Sequence, residues 1–408
     1  MKIALVAGDD LTQNPRVRWE ARALAAAGHR VTVHGVLSPA TEEEEDEAGV
    51  VYVRVPLKGW QAKGGGLKNP VRVARWYERF APVVDLATRR ERPDAIHAHD
   101  LDVAGPAQEA ALALGVPLVY DVAGAAYVDR LCALISPDAR GARRRAHEAA
   151  INHLRRRGAA LERKLRRRGL AAVVVDTRSL ADDLVRRYGG PAPIVVRSCP
   201  PYRRVRRGTE LRKKLGVFPT ERLVLFLGPP TEGCGLDAAI RAMKLLGDGY
   251  VLVVLGRAPR MTKFDKLAED EGVAARVRFA PPTPDDELVK LVASADVALV
   301  PTEPSTPVNR IGVPARLFMA LAAGLPVVAS DTPEVGAIVR GTGAGVLYPA
   351  RSPQDPAALA EGVHVLLNDG SLAATCAEAA VVAAREELNW EKESLALVDL
   401  YDAIEQGR

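Results

Sequence analysis

Aromatic side chains are scarce in this chain: Phe, Trp and Tyr together make up 5% of its 408 residues. Proteins that hold single-stranded nucleic acid stack bases on such rings, so nucleic acid is a poor partner here. Cysteine is equally sparse. Cys132, Cys199, Cys234 and Cys376 stand far apart, with no CxxC pair and no spacing that suits a metal. Free thiols in a reducing compartment follow. No apolar run approaches the ~18 residues that cross a bilayer. The opening stretch Met1 to Gly8 reaches Asp9 and Asp10 too soon for a secretory leader. These absences point to a cytoplasmic chain, with peripheral attachment to a membrane left open.

What is present is the composition of an ordinary globular protein. Hydrophobic residues make up 48%, charged residues 26%, and the net charge is +5. Disorder and fibrous repeats are thereby excluded. At roughly 150 residues per domain the length predicts two domains.

Short apolar runs alternate with Ala/Leu/Arg-rich amphipathic stretches, which is the pattern of βαβ units around a parallel sheet. Ile3 to Ala7 reads as a buried strand. Asn14-Pro15 opens a helix with Val17, Ala21 and Leu24 on its apolar face, and Gly28 stops it. Val31 to Val33, Ala95 to Ala98, Pro117 to Tyr120 and Ala172 to Val175 continue the strands. Glu42 to Glu47 and Lys63 to Gly66 read as surface loops. A second series follows a basic connector at Cys199 to Arg207. Its strands are Leu223 to Leu227, Tyr250 to Leu255, Val277 to Phe279, Val297 to Val300 and Pro326 to Ala329. Its helices include Leu236 to Leu246 and Pro314 to Ala323. The expected architecture is therefore α/β, with two Rossmann-like doubly wound domains facing a central cleft at their strand C-terminal ends. Residues 1–205 form the first domain and 206–385 the second. Residues 386–408 form a last helix, with Leu397, Leu400, Tyr401 and Ile404 on one apolar stripe.

Positive charge collects between Arg140 and Arg168, where only Glu148 and Glu162 offset the arginines. The stretch reads either as a solvated helix face or as a patch for an anionic membrane or protein partner.

Several segments carry a family resemblance. They are Asn14-Pro15-Arg16-Val17, Ala27-Gly28-His29-Arg30-Val31, His97-Ala98-His99-Asp100-Leu101-Asp102 and Val195-Val196-Arg197-Ser198-Cys199-Pro200. The most specific is Gly312-Val313-Pro314-Ala315-Arg316-Leu317-Phe318, running into Ala322-Ala323-Gly324-Leu325-Pro326-Val327-Val328-Ala329-Ser330. With these the chain resembles the GT-B glycosyltransferases of the large retaining, group 4-like family that includes sucrose-phosphate synthase and bacterial capsule enzymes. The resemblance implies an acceptor-side first domain, a nucleotide-sugar donor held by the second, and a last helix that returns to the first domain. It implies no metal and no cofactor beyond the donor.

Elementary chemistry supports a phosphate site in the specific segment. Gly312 and the turn before the Pro314 helix would present N–H groups at a helix N-terminus, where an anion is favoured. Arg316 would add a charge-assisted hydrogen bond. Gly228 and Gly235 would let the backbone approach the phosphates from the other side. Val313 lies within the same segment.

The departures are as informative as the matches. Where the family carries an Arg and a Lys around the Gly228 turn, this chain has Pro229 and Cys234. Its two donor-site glutamates, eight positions apart, fall on Ile311 and Met319. An Asp-Ser-His-Glu segment becomes Asp121-Val122-Ala123-Gly124, keeping the Asp and losing the His and Glu. Arg310, Arg316 and Arg257 are the cations available to compensate. His99, Asp100 and Asp121 at strand ends, with Asp9 and Asp10 as general-base candidates, are the catalytic candidates on the acceptor side. Asp100-Leu101-Asp102 spells a DxD sequence, read here as capping the following helix rather than as a metal site. Three functions remain: a glycosyltransferase with a remodelled donor site, a pseudo-enzyme that keeps the fold as a binding partner, and a GT-B sugar-nucleotide epimerase.

Overall fold

A computed structural model describes the chain except residues 13, 40, 58–78, 123–140, 168, 229–232, 257–261, 281–282, 284 and 408. Lys63 to Gly66, Cys132, Arg140, Pro229, Arg257 and the Ala123-Gly124 pair lie outside the described residues. The chain divides into two compact units, Met1–Arg197 with Ser394–Arg408, and Ser198–Glu393.

The first unit is built on eight strands: β1 Lys2–Ala7, β2 Arg30–Val36, β3 Glu44–Glu47, β4 Val50–Val55, β5 Ala95–His99, β6 Leu118–Val122, β7 Leu170–Val175 and β8 Ile194–Val195. Their order is β3-β4-β2-β1-β5-β6-β7-β8, parallel except for β3. Ile3 to Ala7 of β1 are all buried, as a continuous apolar run in a sheet covered on both faces requires. The chain leaves β1 toward β2 on one side and returns to β5 on the other. The switch point therefore lies between β1 and β5, where a doubly wound sheet opens its crevice.

The acidic run expected as a loop is instead the edge strand β3. Its register with β4 gives Arg18, Arg22, Arg54 and Arg90 carboxylate partners at Glu44, Glu45 and Glu47. Charge along an edge strand also blunts pairing with other sheets. The first helix runs Pro15–Ala26, with Pro15 at its first position and Gly28 beyond its end at φ +95°. Its buried face holds Arg16 and Glu20 beside Val17, Ala21 and Leu24.

The second unit has six parallel strands: β9 Arg222–Leu227, β10 Tyr250–Leu255, β11 Val277–Ala280, β12 Val297–Val300, β13 Val327–Ser330 and β14 Gly345–Tyr348. Their order is β11-β10-β9-β12-β13-β14, so the switch point falls between β9 and β12. Apolar clusters fill both faces of this sheet. One packs the Ala315–Ala322 helix against Leu225 and Leu227; the other packs the Leu236–Leu246 helix against Val224 and Phe226.

The last helix, Trp390–Glu405, starts in the second unit and ends in the first, the boundary being Ser394. The arginine-rich stretch is the helix Gly141–Arg167; Arg155, Arg156, Arg163 and Arg167 are exposed on it, whereas Leu154, Glu162 and Leu165 are buried. No single helix among the described residues is long and apolar enough to cross a membrane.

Candidate functional sites at the two sheet switch points

In the first unit, charged side chains converge below the ends of β5 and β6. Arg16 is only 3% exposed, yet all three of its nitrogens are engaged. Nη2 donates to Asp121 Oδ2 at 2.8 Å, Nε lies 2.8 Å from Glu20 Oε1, and Nη1 donates to the Val196 carbonyl at 2.6 Å. His99 Nε2 lies 2.6 Å from the other Glu20 oxygen. The His97 ring stacks on His99 at 4.8 Å, and its Nδ1 meets the Tyr401 hydroxyl at 3.0 Å.

Burial alone would depress the His99 pKa, but the Glu20 carboxylate outweighs it and pushes the ring up to about 9. His97, buried beside that cation, is pushed down to about 3. His99 is therefore an imidazolium at neutral pH and His97 a neutral ring. Two cations, Arg16 and His99, balance two carboxylates, Glu20 and Asp121. Burial pushes nearby Asp176 up to about 7, against the pull of Arg16.

Ligand atoms of Glu20, His97, His99 and Asp121 lie within 4.8 Å of one another, close enough in spacing for a cation. The group does not fit one. A proton already occupies the short His99–Glu20 contact, and Arg16 contacts both carboxylates. A divalent ion would displace that proton and leave uncompensated positive charge buried beside a guanidinium.

Of the catalytic candidates, His99 and Asp121 are thus brought together, but inside the unit and spent on ion pairs. Arg16 and Glu20 are the functional neighbours that the motif reading passed over. Glu20 carried a signal: it lies three residues after Val17 and four before Leu24, on the apolar face, where a lone carboxylate demands a buried partner.

Asp9 and Asp10 bond to their own loop. Asp9 follows β1, accepting from the Leu11 amide at 2.8 Å and from Asn14 Nδ2 at 3.1 Å, and burial raises its pKa. Asp10 accepts from the Thr12 amide and hydroxyl. Asp100 does not cap the Asp100–Leu114 helix as expected. It is the first helical residue, at φ +63°, and His99 stands at the cap position. Asp100 and Asp102 instead place negative charge in the first turn, against the positive end of the helix dipole. Asp102 also packs against Gly8, where a Cβ would approach its own Cβ to 2.9 Å.

The switch point of the second unit has the opposite character. The helix Leu236–Leu246 begins at Gly235, and Ala315–Ala322 begins at Pro314; neither has a side-chain cap. Helix starts leave first-turn N–H groups without intrahelical partners, although here the Leu317 N–H is already given to the Pro314 carbonyl at 2.9 Å. Gly235 has φ +75°, and a Cβ there would lie 1.8 Å from the Pro301 carbonyl beyond β12. Gly228, at φ +105°, lets the backbone turn directly after β9. Gly312 departs from expectation. Its φ is −89° and its N–H closes the short Pro307–Ile311 helix onto Val308 O at 2.7 Å, so that N–H is not offered to a ligand.

Arg316 projects over the Phe226 ring, 4.7 Å from its centroid. Its Nη1 is buried without a hydrogen-bond partner, and burial lowers the guanidinium pKa. Among the described residues it forms no ion pair. Cys234 and Tyr348 are the groups that act on it electrostatically, and the Tyr348 hydroxyl is also buried without a hydrogen-bond partner. Arg310 is exposed on the short helix beside this corner, and Val313 and Ile311 are half-buried. Met319 belongs to the apolar core, so it cannot stand in for a ligand-facing carboxylate. Cys234 is likewise 4% exposed and packed with Phe226 and Leu236, a thiol inside the core rather than one facing phosphate. Gly233, which sequence reasoning passed over, has φ +70° and is held by Asn309 Nδ2 on its carbonyl at 3.3 Å.

Two doubly wound units, each built on a mostly parallel sheet, are the architecture of the GT-B class of α/β proteins. Comparison with known proteins agrees. Residues 12–200 match the glycosyl transferase 4-like domain, and residues 208–381 match the glycosyl transferases group 1 family. The two models together span most of the chain, which belongs to the GT-B group 1 glycosyltransferase family.

Among curated relatives, a D-inositol 3-phosphate glycosyltransferase of Xylanimonas cellulosilytica is 31% identical over 244 residues, covering 56% of each chain. The chain thus spans about half the length of the curated relatives it matches. Among solved structures, sucrose-phosphate synthase from Thermosynechococcus elongatus superposes with a TM-score of 0.78 at 18% identity, covering 100% of both chains. Anabaena HepE, in complex with UDP and glucose, gives a TM-score of 0.74 at 16% identity, covering 99% of this chain and 100% of that one.

Proposed function

We propose that this protein transfers a sugar from a nucleotide-diphosphate donor to a small-molecule or lipid-linked acceptor, with the donor diphosphate at the β9/β12 switch point. The observation that carries this reading is Arg316. A half-buried guanidinium with a buried, unused donor at Nη1 and, among the described residues, no carboxylate partner is costly to keep, unless an anion completes it. The two uncapped helix N-termini beside it supply further donors and a favourable dipole. That Anabaena HepE was crystallised with UDP and with UDP-glucose supports a nucleotide-sugar ligand.

In this scheme the protein accelerates departure of the diphosphate. Arg316, with Arg310 at the rim, stabilises the charge that develops on the leaving oxygen, and fixed N–H groups add to it without reorganising. Such a donor set performs the role a metal ion would otherwise fill, so transfer is metal-independent. On the acceptor side Asp9 is the general base. It stands at the end of β1 beside the switch point, and burial raises its pKa. His99 and Asp121 act by holding the strand ends in place. The exposed arginines of the Gly141–Arg167 helix attach the protein to an anionic membrane surface, peripherally and from the cytoplasmic side.

A second reading, a pseudo-enzyme that keeps the fold as a binding or regulatory partner, is favoured by one observation: the positions aligned with the family's two glutamates are Ile311 and the core residue Met319. Incubation with UDP-, GDP-, ADP- and dTDP-sugars, scored for donor hydrolysis, separates the two. Slow hydrolysis of one donor is expected. Nucleotide binding without hydrolysis or transfer to any acceptor favours the pseudo-enzyme, and absence of binding to all four overturns the transferase reading.

A further inference from the structure

The chain passes between its two units twice, outward after Arg197 and back before Ser394. Both crossings end on the same buried charge network. Val196, one residue before the outward crossing, gives its carbonyl to Arg16 Nη1. Tyr401, on the returning helix, is fully buried, and its hydroxyl shares a hydrogen bond with His97 Nδ1. Between them runs an unbroken series of contacts: Arg16 to Glu20 at 2.8 Å, Glu20 to His99 at 2.6 Å, and the His99 ring stacked on His97. The bonds at the two ends join residues 180 and 304 positions apart in sequence.

We propose that Arg16 is a positioning residue that fastens both crossings of the chain to the first unit through one shared network. Substrate cannot reach it, because Arg16, Glu20, His97, His99 and Asp121 are all buried. Nor does core packing require it, since an apolar side chain of similar volume would fill the space without burying charge. What a guanidinium supplies, and a methionine or lysine does not, is three donor directions in one plane. Here they point to a crossing carbonyl, to Asp121 on β6 and to Glu20, whose other oxygen leads to the second crossing. Charges buried in low dielectric act as a unit, so a disturbance at one end is felt at the other.

Hydrogen exchange on the full chain tests this with two variants. Tyr401→Phe deletes one hydroxyl at the far end of the network and leaves every charge in place. Arg16→Lys keeps the charge but loses the three-way geometry. The proposal predicts that each raises exchange in both 194–198 and 394–405 by about tenfold, while the β12 amides 297–300 are unchanged. The informative element is the reciprocal effect: Tyr401→Phe must loosen 194–198, although the hydroxyl it removes is bonded to His97 on β5. If each variant loosens only the segment it contacts, or Arg16→Lys leaves both unchanged, the crossings are pinned independently and the proposal is overturned.

Discussion

The two switch points occupy equivalent places, at the C-terminal edge of a parallel sheet where the strand order reverses, yet their electrostatics are opposite. In the first unit Arg16 and His99 are matched by Glu20 and Asp121 within hydrogen-bonding reach. In the second, Arg316 stands over Phe226 with a donor unused and, among the described residues, no carboxylate beside it. A closed charge network stabilises the fold and has little left for a ligand. An open one costs stability until a ligand arrives. The same fold thus separates a region that holds its own chain from a region suited to an external anion.

Substitution of the two arginines breaks this comparison most severely. Arg16→Met leaves Glu20 and Asp121 buried against each other, and should destabilise the protein by about 3–5 kcal/mol. Arg316→Met strands no carboxylate and should change stability by less than about 1 kcal/mol, or increase it. Chemical denaturation of the two variants side by side gives the contrast directly; equal losses would mean that the second corner also has a structural partner.

The pH dependence offers the next largest effect. His99 is faced by Glu20 and Arg16 from the first helix, Asp121 from β6, His97 from its own strand and Asp9 from the end of β1. Its pKa is raised from 6.5 to about 9. The unfolded chain therefore sheds this proton first as pH rises. The stabilisation is fully present below about pH 6.5 and is lost by pH 9, on the order of 3 kcal/mol. Glu20→Gln should flatten the profile between pH 6.5 and 9. An unchanged slope in that variant would show that another group titrates.

A further pH effect, at the acid end, comes from His34 on β2, whose ring nitrogens are both buried without hydrogen-bond partners and whose pKa is pushed down to about 4 by burial. This histidine favours the folded state above pH 6.5 and loses that contribution as pH falls toward 4. His34→Leu should stabilise the protein by about 1 kcal/mol at neutral pH and lessen its acid sensitivity. Destabilisation by this substitution would indicate a role that the network comparison omits.

The fold was largely legible because its signals are local. Leu236 to Leu246 and Tyr250 to Leu255 keep their expected limits, set by amphipathic period in the one and a buried apolar run in the other. The edge strand β3 was not legible: four acidic residues have little strand propensity, and only arginines distant in sequence make the pairing favourable. The donor-side corner was legible in part. Helix starts and turn glycines can be read from residue types. That Cys234 turns into the core, or that the Gly312 N–H is spent on Val308, depends on tertiary packing. The Arg16 network was least legible, since its partners come from four separate segments.

The central claim, that the second unit holds a nucleotide diphosphate on Arg316, is tested most directly by thermal stability with and without UDP, GDP, ADP and dTDP. A nucleotide at 100 times its dissociation constant should add about 2.7 kcal/mol of apparent stability. The account predicts this gain in the native protein and in Lys290→Ala, which alters an exposed side chain on the Asp285–Val292 helix, and its loss in Arg316→Ala. Stabilisation that survives Arg316→Ala, or none with any nucleotide, would contradict it.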